Sequence, residues 1–135
     1  MSLEEEFIGI QENIVMRACQ LIDSIPDFIY VYMSNEHYSS SFNVFYKIGN
    51  FVLTPEKTEN PPSKNNINHL FDDGLDAINN IKDVFRVHKQ EPPKEIRITY
   101  SVKNEELSSE FFYESKLSDT VGVNEILEEW MKSVS

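Results

Sequence analysis

The hydrophobic pattern changes period at Pro26, and that change decides what class of fold the chain can adopt. Before it, Leu3, Phe7, Ile10, Ile14, Ala18 and Leu21 recur at steps of three and four, widened by Ile8, Val15 and Ile22. That spacing predicts one face of a helix over residues 3–22. Ser2 followed by Glu5 is a capping-box pattern, and the run Glu4-Glu5-Glu6 suits the positive end of the helix dipole. From Phe28 the period is two. Phe28, Tyr30 and Tyr32 alternate with Ile29, Val31 and Met33, so both faces of this first strand are apolar or aromatic.

A polar turn over residues 34–41 is expected to lead into a second strand. There Phe42, Val44, Tyr46 and Ile48 alternate with Asn43, Phe45 and Lys47. Gly49-Asn50 then reads as a tight hairpin into Phe51-Val52-Leu53. Pro55, Pro61 and Pro62 mark residues 54–66 as the one long, flexible loop.

A second helix is predicted from about Asn66 to about Lys89. Its stripe is Ile67, Leu70, Phe71, Leu75, Ile78, Ile81, Val84 and Phe85. Gly74 inside it costs about 1 kcal/mol relative to Ala, and close packing against another element would explain it. Glu91-Pro92-Pro93 ends the helix. Ile96, Ile98, Tyr100 and Val102 form a strand with one buried face, and a polar turn returns the chain through Leu107 to Tyr113. Ser118 or Asp119 is expected to cap a last helix carrying Val123, Ile126, Leu127, Trp130, Met131 and Val134.

The order α-β-β-β-α-β-β-α, with hairpin-linked strands, implies an α+β fold. It should be a single two-layer domain over residues 1–135, with an antiparallel sheet of about five strands and helices packed on it.

Charge narrows the function. Twelve Lys and Arg stand against 23 Asp and Glu, a net −11. The surplus divides as −5 over residues 1–67 and −6 over residues 68–135, so no acidic tail accounts for it. Such a body repels a phosphate backbone, and no nucleic-acid partner is expected. Cys19 is the sole cysteine and reads as an inert thiol in an apolar helix; no internal disulfide is possible. Three acids near the N-terminus do not suit an export signal, and the apolar runs are too short for a membrane span. A cytoplasmic protein without a membrane partner is expected.

Constellations for chemistry are missing. The four glycines, Gly9, Gly49, Gly74 and Gly122, are too scattered for a phosphate loop. His37, His69 and His88 lack metal-ligand spacing. Pairs such as Asp72 with Asp76, or Glu125 with Glu128 or Glu129, read as solvated helix faces rather than an acid–base dyad. No catalytic, cofactor-binding or metal-binding residue can be named, and no cofactor is expected. What the charge does imply is steering toward a basic protein. Asp72, Asp73, Asp76, Glu128 and Glu129 are the candidate contact residues, from their clustering on predicted polar faces.

Particular segments resemble the YezG-like immunity protein family. They are Leu21-Ile22-Asp23-Ser24-Ile25-Pro26 followed by Ile29-Tyr30-Val31-Tyr32, and the Ser-rich turn entering Val44-Phe45-Tyr46-Lys47. The best local match is Phe85, then Gln90-Glu91-Pro92, Ile96 to Tyr100, a polar turn and Glu110-Phe111-Phe112-Tyr113-Glu114. Pro93 stands where the family commonly has Trp, serines replace glycines before the second strand, and the C-terminal region is shorter, as in a distant member. The resemblance implies an antitoxin that binds the toxic domain of a bacterial polymorphic toxin, often a nuclease, without catalysis. Two other readings stay open. One is an acidic chaperone of type III secretion, which would bind an extended effector segment. The other is a small-molecule-binding domain or enzyme. Oligomeric state is not written in the pattern.

Overall fold

A computed structural model describes residues 1–36, 39–118 and 120–135. Helix α1 spans Leu3–Leu21, followed by β1 (Phe28–Glu36), β2 (Ser39–Ile48) and β3 (Phe51–Leu53). A short 3-10 turn at Pro55–Lys57 precedes α2 (Lys64–Val87), then β4 (Glu95–Ser101), β5 (Glu106–Phe112) and α3 (Val123–Val134). The five strands form one antiparallel sheet in the order β3-β2-β1-β4-β5. This is the α+β fold that the order of periodicities implies.

Strand parity distributes the helices. Ile29, Val31 and Met33 of β1, with Phe42, Val44 and Tyr46 of β2, face α1 and α2 and close the main core. The alternate residues Tyr30, Tyr32 and Phe45 face the other way and pack against Ile126 and Trp130 of α3. Two layers therefore describe α1 and α2 on the sheet, while α3 adds a partial third layer. A strand apolar on both faces, as β1 is, must be covered on both to remove that surface from water. The rings of Tyr30 and Phe45 stack at 4.7 Å, and Trp130 meets each edge-on, at 5.6 and 5.0 Å.

Local chemistry sets the ends. The Ser2 side chain accepts from the Glu5 amide at 3.2 Å, and Ser63 does the same for Asn66 at 3.1 Å. Helix α2 thus starts and stops two residues earlier than the expected span from about Asn66 to about Lys89. Its end is a Schellman turn: Lys89 takes φ 58°, with Gln90 N donating to Phe85 O at 2.9 Å. Gly49 takes φ 60° in the β2–β3 hairpin, and its amide donates to the Asp27 carboxylate at 2.8 Å.

Several expectations need correction. Residues 34–36 and 39–41, read as a polar turn, belong to the paired strands, with Ser34 opposite Ser41 and Glu36 opposite Ser39. His37 lies outside the described residues. Within residues 54–66 the structure has a 3-10 turn and the first residues of α2. The last helix is capped at Gly122, whose amide donates to Glu125 Oε2 at 2.8 Å, and Ser118 instead receives the amides of Thr120 and Val121. Asp119 lies outside the described residues. Ile8 and Leu75, placed on apolar stripes, are 49% and 38% exposed. Both fall at the margin of a stripe wider than the surface the sheet covers.

Candidate functional site

Helices α1 and α2 run antiparallel, as their two ties require. Arg17 pairs with Asp73 at 3.0 Å near one end, and His88 Nε2 meets Glu6 Oε2 at 3.1 Å near the other. Between the ties lies an open groove of about 700 Å³. Gly9, Ile10, Ile14 and Ala77 contribute its apolar floor, and Glu5, Glu6, Asp73, Asp76 and Asp83 its acidic rim. Gly9 matters because a side chain there would project into open space over the floor.

The rim is unbalanced. Arg17 engages Asp73, and Arg86 engages Asp83 at 3.0 Å within α2. Among the described residues neither Glu5 nor Asp76 has a cationic partner. The Arg17–Asp73 pair is solvated on both sides, so it contributes at most about 1 kcal/mol and opens readily to another cation. An acidic rim over an apolar floor suits a cationic side chain whose stem packs below its charge.

The five residues singled out in the sequence do not meet in one place. Asp73 and Asp76 line the groove. Asp72 is exposed on the same helix but is not part of that lining. Glu128 and Glu129 are exposed on α3, across the sheet from α2. The parity of β1 that places α3 on the far face also separates these two acidic groups.

A second cluster escaped sequence reasoning. On the α3 side of the sheet, Glu95 is 1% exposed and accepts from Arg97 Nε at 2.9 Å through Oε1, while its Oε2 has no partner among the described residues. The Arg97 guanidinium lies over the Phe112 and Trp130 rings at 5.3 and 5.5 Å. Glu36 is also buried; it accepts from the Ser115 hydroxyl and from Leu117 N at 3.2 Å. The Tyr32 hydroxyl is buried without a bond of good geometry among the described residues, although Ser34 lies close enough to act on it. Burial pushes the Tyr32 phenol up to about 12, with the Glu95 charge adding to the effect and Arg97 opposing it. This cluster pins the segment leading to α3. The alternation Glu95, Arg97, Thr99 was its signal in the sequence, since a charged pair two apart on a strand shares a face.

Among the described residues no group of three His, Cys, Asp or Glu could hold a metal ion. None of their helices is long and apolar enough to cross a membrane. Cys19 is half-buried beside the main core, and His69 is exposed on α2. No protein-family model matches the chain, and no curated protein matches it.

Proposed function

We propose that this chain is a cytoplasmic immunity protein that neutralises a bacterial toxin domain, a nuclease, by covering a basic surface. The acidic groove between α1 and α2 is the observation that carries the reading. A nuclease must hold phosphates, so its cleft is basic and fits an acidic rim in which Glu5 and Asp76 have no cationic partner among the described residues and the Arg17–Asp73 pair is solvated. The net charge of −11 extends the same sign beyond the groove and raises the rate of encounter. Inhibition then needs no bond making, only an interface with an apolar centre and a charged rim. The resemblance of the Gln90-Glu91-Pro92 segment and its following strands to YezG-like proteins points the same way.

Co-expression with the product of the adjacent open reading frame, as the candidate toxin, tests this. Growth should be restored and the two proteins should co-purify in equal amounts with the toxin folded and inactive. A toxin that remains active in the presence of excess chain contradicts the reading. Capture of only an unfolded segment would favour a secretion chaperone instead.

A further inference from the structure

We infer that the free edge of β5 is a docking site for an extended basic segment of a protein partner, added to the sheet as a sixth strand. The sheet has two edges. At one, β3 is three residues long and pairs only with Tyr46–Ile48, so residues 39–45 of β2 have no strand beside them there among the described strands, but that stretch carries no acidic residue to attract a basic segment. At the other, β5 offers seven residues bonded only to β4 among the described strands. It has no proline or bulge to close it, and the charged side chains that guard it, Glu106 and Glu110, are acidic.

Its charge selects against a second copy and for a basic occupant. Residues 104–115 carry Glu105, Glu106, Glu110 and Glu114 and no Lys or Arg. Pairing two β5 edges would bring four carboxylates together, Glu106 and Glu110 of each copy. Among the described residues no ion pair uses Glu106 or Glu110; Arg97, across the ladder from Glu110, is engaged with Glu95.

The two faces of the edge differ, which gives the occupant a pattern. On the α1 side, Leu107 packs on the main core, Ser109 bonds Gln11, and Phe111 lies 5.0 Å from Phe7 while remaining 41% exposed. On the α3 side, a groove of about 460 Å³ borders the strand, with Thr99, Ser101 and Ser108 in its walls and Glu106 at its rim. Helix α3 covers Tyr30, Tyr32 and Phe45 and leaves this part of the face open. A strand laid beside β5 therefore presents alternate side chains to an apolar ring and to a polar, acidic groove. The matching segment alternates apolar and basic residues.

This goes beyond the toxin-neutralising reading and uses a different face, and it is tested without a toxin, so either can fail alone. The probe is a labelled nine-residue peptide alternating Val and Lys, compared with the same residues rearranged into a Val block and a Lys block. The alternating peptide should bind at least about tenfold more tightly than the block peptide and should slow amide exchange in β5. The exposed double change Glu106→Lys with Glu110→Lys should weaken it by about tenfold or more. Equal binding of both peptides, or binding with β5 amides unprotected, overturns the inference. So does dimerisation of the free chain through the same amides. The exchange pattern is read on the unaltered chain, so the test survives a variant that folds poorly.

Discussion

Gly74, inside α2, lies directly against the Phe42 ring of β2, and a Cβ added there would overlap three carbons of that ring. Helix α2 can approach the sheet this closely only because residue 74 has no side chain. The helical cost of glycine is the local sign of a tertiary contact.

Gly74→Ala should therefore destabilise the protein although it improves helix propensity. The propensity gain is about 1 kcal/mol, against about 1–3 kcal/mol for overpacking a core. The overlap is with a buried ring flanked by Phe71, which places the cost at the upper end. A lower urea midpoint with unchanged m-value is the expected result. Adding Phe42→Leu should recover part of the loss, giving a non-zero coupling in the double-mutant cycle.

Two buried tyrosines should respond oppositely to losing their hydroxyls. Tyr46 donates at 2.6 Å to the carbonyl of Ala18, one of the last four in α1 and therefore without a helical partner of its own. Tyr46→Phe should cost about 1–2 kcal/mol. Among the described residues the Tyr32 hydroxyl has no such bond, so Tyr32→Phe should be neutral or stabilise by up to about 1 kcal/mol. Equilibrium unfolding of the two variants separates these outcomes.

These two phenols and that of Tyr30 make the fold sensitive to alkali. Burial raises Tyr30, Tyr32 and Tyr46 above the ordinary value of 10, Tyr32 to about 12. The unfolded chain loses these protons first, so their contribution is complete below pH 10 and falls as pH rises toward 12 and beyond. Urea midpoints measured from pH 9 to 12 should decline above 10, and less steeply for Tyr32→Phe.

Trp130 is the anchor of α3, meeting Tyr30 and Phe45 edge-on. A helix of 12 residues is marginal without tertiary support. Trp130→Ala, at about 3–5 kcal/mol for a buried Trp, should release α3 while the core under α1 and α2 stays folded. Amide exchange should accelerate in residues 123–134 and persist unchanged in β1 and α2. Protection retained in α3 would show that other contacts hold it.

Much of this architecture is legible in the chain because periodicity reports burial directly. The step of three and four in α1 and the alternation in β1 follow from one-sided and two-sided cover. What was not legible depends on partners distant in sequence. Glu36 is buried because Ser115 and Leu117 reach it, and Gln11 because Ser109 does. Residues 34–36 look like a turn until those partners are in place. The acidic residues were visible, but their grouping was not. Asp73 and Asp76 join Glu5 and Glu6 only through the packing of α2 on α1, and that same sheet separates them from Glu128 and Glu129.

The central claim is that the acidic groove of α1 and α2 captures a basic toxin domain. Stopped-flow association of the two proteins, at low and at physiological salt, tests it most directly. With Asp73 and Asp76 of the groove rim each changed to Lys, association should slow by about tenfold or more at low salt, and the salt dependence of the unaltered pair should be largely lost. Equal rates for both chains at low salt would contradict the account.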